Sequence, residues 1–356
     1  VVTIVTEGIT TVIDLAQRRR LGRSPVSVSP LGFGGNALSN LYAAVNETQA
    51  FEAVAASYAG GVRYFDTAPL YGYGLGEQRL GRALRGFPRD AYVLSTKVGR
   101  LLRPHGNVPP AKLSPREGGI FVDELPFTPV FDYSAGGVRR SIEDSLQRLG
   151  TNRIDVALVH DIDRWTHGDA YEDRLAEVIG AALPALQQAR DEGVIGAIGI
   201  GVNEIDACRR FSDVAGIDCF MLAGRYTLLE REGSAELFAA CARRGISILA
   251  AAPFNSGILA TGATPEARYN YLPAPPEVRA RVAVLEGLCA KYGVSLAAAA
   301  LQFPLREPAV AAVVAGCRSQ LEAEQSLALL AQPIPAAFWS ELSNCRSDVR
   351  IAEAVR

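Results

Sequence analysis

The chain has 356 residues, 49% of them hydrophobic and 21% charged, with a formal net charge of −2. That is enough apolar material for one large core or two ordinary domains. The only basic block is Arg18-Arg19-Arg20, which argues against a nucleic-acid partner, and no apolar run reaches the roughly 18 residues that cross a bilayer.

In chain order, residues 1–19 read as an N-terminal extension. They place no positive charge ahead of an apolar run, so they do not read as a signal peptide. SVSPLGFGG (27–35) supplies the first strand. Six more runs read as buried parallel strands because they are apolar throughout: YVLSTK (92–97), IDVALVH (154–160), IGAIGIG (195–201), IDCFML (217–222), ISILAA (246–251) and VAAVVAG (310–316). VRYFD (62–66) completes a set of eight. Helical patterns lie between them: Thr48–Ala59 with Thr48 as its cap, Glu77–Leu84, Gly137–Leu149, Tyr171–Arg190, Glu204–Phe211, Ala235–Arg244, Ser295–Leu305 and Ser319–Leu330.

Eight strand–helix units in one direction predict a closed (β/α)₈ TIM barrel over residues 20–356. The rival is an open doubly wound sheet, which wants a Gly-rich fingerprint early in the chain. Four segments fall outside the rhythm. Residues 101–135 read as a long Pro/Gly-rich loop insertion overhanging the barrel mouth. Residues 261–277 read as a second irregular stretch. Extra helices are expected at 277–292 and at the C-terminus. The six cysteines form no C-x-x-C pair and no histidine stands at ligand spacing, so buried thiols in a reducing cytoplasm are expected, with no metal.

In a barrel, reactive groups sit where strands end. The second strand ends at Asp66, with Tyr71 five residues on. The third ends at Lys97 and the fourth at His160, followed by Asp161. Singly, the Asp reads as a turn residue, the Lys as solvated and the His as a satisfied sheet-end group. Together they make a proton-transfer set. A nearby ammonium lowers a tyrosine pKa from its usual value of about 10, and the phenol can then exchange a proton with a carbonyl or hydroxyl oxygen. Hydride transfer needs that acid or base. Protein side chains supply no hydride, so a nicotinamide cofactor is implied. GYGLG (72–76) lacks the G-x-G-x-x-G spacing and reads as a turn positioning Tyr71 rather than a pyrophosphate cradle.

These residues resemble the aldo-keto reductase superfamily from about Arg20 to Ala331. GVRYFDTAPLYGYGLGEQRLGRAL resembles its segment around the catalytic Asp and Tyr, STKVGR its lysine segment, and SLQRLGTNRIDVALVHDID the stretch leading to its histidine. The resemblance implies Tyr71 as general acid/base, Lys97 and Asp66 as its tuning pair, and His160 orienting the substrate oxygen. It implies NAD(P) lying extended at the C-terminal rim. Asn203 would hold the nicotinamide carboxamide, and Phe254, Asn255, Ser256 and Gly257 would cover the pyrophosphate. Gly316, Arg318 and Gln325 would meet the adenosine. Members preferring NADP place basic residues where Gly316 and Glu322 stand here, so NAD is expected, with NADP as the alternative. The Glu-Asn pair near adenine falls on Gln325-Ser326, and Ala251 replaces the tyrosine that stacks on nicotinamide.

VHDID, LAGRYTLLE and PFNSGIL are most similar to the sugar dehydrogenase branch. The resemblance therefore implies oxidation of an aldose at its anomeric carbon. A pyridoxal 4-dehydrogenase and an NADPH-linked aldehyde or ketone reductase are the alternatives. A Schiff-base lyase using Lys97 and a non-catalytic nucleotide sensor are more distant ones. Phe131, Tyr133, Trp165 and Arg225 are candidate walls of the substrate pocket. The expected partner is a small molecule and the expected state a monomer or small homo-oligomer.

Overall fold

Eight of the apolar runs close into one barrel. The computed structural model describes residues 13–104, 119–231 and 233–344. Its barrel strands are β1 (Leu31–Gly34), β2 (Tyr64–Asp66), β3 (Val93–Val98), β4 (Ile154–His160), β5 (Ile195–Val202), β6 (Cys219–Ala223), β7 (Ser247–Ala251) and β8 (Val310–Gly316). Each strand pairs in parallel with its sequence neighbour, and β8 closes on β1. No Rossmann-type open sheet is present among the described residues.

The register sets the mouth. Asp66 lies opposite Ser95, Lys97 opposite Leu158, and His160 opposite Gly201, so three successive strands end on one rim. Inside the barrel, Val156, Leu158, Met221, Leu249 and Ala312 pack in layers with Leu21 and Val28. The last two come from a hairpin, Arg19–Arg20 against Ser27–Val28, that closes the N-terminal end. Only Leu31–Gly34 of the 27–35 run therefore belongs to the barrel. The arginine triplet is partly structural, because Arg19 Nη1 donates to the Val310 carbonyl at 2.9 Å.

The first barrel helix, Glu47–Ala59, is capped by Asn46, not Thr48. Asn46 and Gln49 form a reciprocal capping box. The Tyr171–Arg190 stretch is helical throughout, with one π turn at Val178–Ala182. Pro276–Lys291 and Ala336–Asn344 pack together in a second apolar cluster outside the repeat. Among the described residues no single helix is long and apolar enough to cross a membrane.

The two irregular stretches hold β structure. Arg100–Pro104 pairs antiparallel with Phe127–Phe131, so the described part of the insertion is a ribbon rising from β3; residues 105–118 lie outside the described residues. Arg268–Tyr269 pairs with Leu272–Pro273 across Asn270 and Tyr271. Both turn residues take positive φ, 49° and 69°, as a tight hairpin demands.

Candidate active site

The turn after β2 brings the phenol back over the barrel. Gly72, Tyr73 and Gly74 have φ of 57°, 54° and 102°. A Cβ on Gly72 would lie 2.8 Å from the Ser39 carbonyl oxygen, so only glycine lets the chain double back so closely. The helix Leu75–Leu84 starts there and fixes Tyr71 at the mouth.

Asp66 and Lys97 form a buried ion pair, each side chain under 5% exposed. Lys97 Nζ donates to Asp66 Oδ2 at 2.8 Å and Oδ1 at 3.1 Å, and to the Thr67 carbonyl at 2.9 Å. Ser95 Oγ donates to Asp66 Oδ1 at 2.7 Å. The ammonium lies 4.7 Å from the centre of the Tyr71 ring. The His160 ring meets Tyr71 edge-on, with centroids 6.0 Å apart.

Burial alone would lower the Lys97 pKa, but the Asp66 carboxylate and the Tyr71 phenol outweigh it and raise it. His160 is pushed well below the usual histidine range, first by burial and then by Lys97 and Arg100, so its imidazole is neutral near pH 7. Tyr71 departs from the sequence expectation. Burial raises its pKa, and the lowering by Lys97 offsets only part of that. Spacing along the chain shows the neighbouring charge; it does not show the apolar surroundings that oppose it.

Two charged residues join this set to which the sequence reading gave no role. Arg100 is 3% exposed, and its Nη2 donates to Asp161 Oδ2 at 2.7 Å. Asp161 Oδ2 lies 3.6 Å from His160 Nε2. The available signal was a charge at each end of otherwise apolar runs, in KVGR and VHD. Tyr133 is fully buried and stands behind His160, donating to its carbonyl at 2.7 Å. Phe131 is half-buried, with the Arg100 guanidinium 4.1 Å above its ring. Trp165 stacks on Tyr271 at 6.2 Å, and Arg225 lies 5.7 Å over Trp165 while donating to Asn270 Oδ1 at 2.9 Å. Trp165 and Arg225 thus meet the 268–273 hairpin at one wall.

The residues expected to meet a dinucleotide line the same rim. Asn203 Nδ2 donates to Asp161 Oδ1 at 3.3 Å, and its backbone N–H to Asp163 Oδ2 at 2.9 Å. After β7 the chain is left-handed at Ala252, Asn255, Ser256 and Gly257, and a Cβ on Gly257 would meet open space. Asn255 Nδ2 is tied to the Gly224 carbonyl at 3.0 Å, and Ser256 Oγ accepts from the Tyr271 N–H at 3.0 Å. Phe254 packs between the two main apolar clusters. Gly316 ends β8 beside Gly34. Arg318 and Gln325 are respectively just before and on the helix Gln320–Ala331, and Arg318 Nη2 and Nε reach Glu322 Oε1 at 2.8 and 3.1 Å. Asn36 Oδ1, Thr67 Oγ1, His160 Nδ1 and Asn255 Oδ1 are buried without a hydrogen-bond partner. Unmet polar atoms at one barrel end fit a polar ligand such as a nicotinamide dinucleotide. A groove of about 660 Å³, lined by Arg85, Phe87, Tyr92 and Thr151 among others, lies at the opposite end and contains none of these residues.

A sequence profile of the Aldo/keto reductase family matches residues 30–347. The chain belongs to the aldo/keto reductase family. As a member of that family it is an oxidoreductase, and the family's hydride chemistry runs on nicotinamide cofactors. It is 43% identical over 335 residues to a pyridoxal 4-dehydrogenase from Microbacterium luteolum, covering 93% of this chain and 97% of that protein. It is 39% identical over 322 residues to a D-threo-aldose 1-dehydrogenase from a Pseudomonas species, covering 90% and 95%. The holo form of an aldo-keto reductase from Bacillus halodurans has the same fold, with TM-score 0.70 and 25% identity over 94% of this chain and 98% of that one.

Proposed function

We propose that this aldo/keto reductase oxidises an aldose at the anomeric carbon to the lactone, with NAD as hydride acceptor. The observation that carries the reading is the Lys97 ammonium set 4.7 Å from the Tyr71 ring, with the His160 ring edge-on to that phenol at 6.0 Å. Bound nicotinamide supplies the hydride acceptor. Tyr71 takes the proton of the anomeric hydroxyl. Lys97 stabilises the phenolate this requires, and Asp66 holds Lys97 charged and in place. His160 orients the substrate oxygen by a hydrogen bond, and its depressed pKa makes it too weak a base to compete with Tyr71 for the proton.

Asn203 would hold the carboxamide, Phe254 to Gly257 the pyrophosphate, and Gly316, Arg318 and Gln325 the adenosine. The preference for NAD rests on Arg318. It is the sole basic residue of the 316–327 segment, and Glu322 already engages it through two side-chain nitrogens. A 2′-phosphate there would meet that carboxylate. Phe131, Trp165 and Arg225 would flank the sugar.

The likeness to the Microbacterium protein favours a second reading, oxidation of pyridoxal at its 4-aldehyde carbon. Pyridoxal closes on its own hydroxymethyl group to a cyclic hemiacetal, so both readings share one reaction centre. A panel of aldoses and pyridoxal, followed by NADH formation at mildly alkaline pH, separates them. Turnover of aldoses but not pyridoxal is the expected result. Turnover of pyridoxal alone selects the second reading, and turnover only with NADPH and simple aldehydes defeats both.

A further inference from the structure

We propose that Asp161, clamped by Arg100, is a positioning residue that fixes the amide orientation of Asn203 and the proton location on His160. The inference rests on the cofactor part of the reading above. Asp161 follows the last residue of β4 in the left-handed region, with φ of 52°. Its N–H donates to the Gly201 carbonyl at 2.8 Å, which locks that turn. Its carboxylate meets groups from three neighbouring strand ends: Arg100 Nη2 after β3, His160 Nε2 on β4, and Asn203 Nδ2 after β5.

The chemistry follows from the acceptor-only character of a carboxylate. Asn203 can meet it only through its NH₂ group, so the Asn203 carbonyl oxygen is left to face away from it. That is the acceptor a carboxamide NH₂ needs. At 3.6 Å from His160 Nε2, beyond hydrogen-bond distance, the carboxylate acts through its charge, which favours the tautomer with the proton on Nε2 and leaves Nδ1 bare. His160 Nδ1 is indeed buried and unpartnered. Arg100 Nη2 lies 2.7 Å from Asp161 Oδ2, and the two side chains form a buried ion pair beside that of Lys97 and Asp66. A buried ion pair is weak as a source of stability; here its three-strand geometry gives it a different use.

The test is Asp161→Asn, which keeps the shape and removes the acceptor-only constraint. Binding of NAD and of ADP-ribose, which lacks the carboxamide, is measured by calorimetry without substrate. Imidazole ¹⁵N chemical shifts report the His160 tautomer. NAD affinity is expected to fall about tenfold, the scale of one lost hydrogen bond, with ADP-ribose affinity unchanged. The His160 signal is expected to move from one tautomer to a mixture, and Arg100→Lys to retain more of the wild-type behaviour than Arg100→Met. Equal weakening of NAD and ADP-ribose, or unchanged NAD affinity with an unchanged tautomer, overturns the proposal. A wild-type chain that binds NADP in place of NAD overturns the NAD assignment alone, because the carboxamide is common to both and the same contrast is then run with NADP. Binding of neither overturns both.

Discussion

Replacing Lys97 by Met keeps an apolar stem of similar length and removes the charge. Asp66, 4% exposed at its side chain, would then keep only the Ser95 hydroxyl at 2.7 Å among the bonds described for it. Removing one partner of a buried ion pair costs about 3–5 kcal/mol, less whatever Asp66 recovers by taking up a proton. The effect on Tyr71 is separable. At an effective dielectric constant of about 20, and taking the 4.7 Å to the ring centre as the separation, a unit charge is worth about 3.5 kcal/mol to the phenolate. At about 1.4 kcal/mol per tenfold, that is a few hundred-fold in phenolate population. The assay is kcat for NADH formation from about neutral to strongly alkaline pH, beside denaturant unfolding. Turnover near neutrality should fall about 10²- to 10³-fold, and the pH–rate curve should move to higher pH. The double variant Asp66→Asn/Lys97→Met should regain stability without regaining kcat. A folded Lys97→Met enzyme with near-wild-type kcat and an unmoved pH–rate curve would refute the coupling of ammonium and phenol.

Three further outcomes follow from the same geometry. Burial raises the Tyr71 pKa above its usual value, so the phenolate fraction should grow about tenfold per pH unit across the neutral range. Oxidation kcat/KM should rise with pH while aldehyde reduction does not; a flat oxidation profile would contradict this. His160 has a folded-state pKa well below the unfolded value of about 6.5. Its stabilising contribution is present above that value and is lost as pH falls below it, by at most about 1.4 kcal/mol per pH unit. The stability difference between wild type and His160→Gln should therefore shrink on acidification below about pH 6.5, read by denaturant unfolding, and a constant difference would count against a buried neutral imidazole. Glu322→Gln should release Arg318 and raise kcat/KM with NADP about tenfold relative to NAD; an unchanged cofactor ratio would show that Arg318 does not face the 2′ position.

The barrel was legible because its strands are apolar on both faces, a pattern that survives without partners: IDVALVH (154–160) and VAAVVAG (310–316) have the same bounds as the observed β4 and β8. Asp66, Tyr71, Lys97 and His160 stood out because each polar residue ends or follows such a run. Other features depend on distant partners. Arg100 and Asp161 are 61 residues apart, and neither VGR nor VHD announces the other. The ribbon of Arg100–Pro104 and Phe127–Phe131 was read as a loop because its strands are short, proline-interrupted and far apart in sequence. The cap at Asn46 was missed because Asn46 and Thr48 are both good caps, and only the reciprocal bond to Gln49 distinguishes them. The Tyr71 direction was misread because desolvation is a property of the packed mouth, not of spacing.

The central claim is that the Tyr71 hydroxyl carries the proton that leaves as hydride departs. Its most direct measurement is single-turnover NADH formation by Tyr71→Phe, with NAD affinity determined on the same preparation. Removing the hydroxyl should suppress the hydride-transfer step by at least about 10³-fold while NAD binds within about twofold of wild type. A Tyr71→Phe enzyme that transfers hydride at near the wild-type rate would contradict the account.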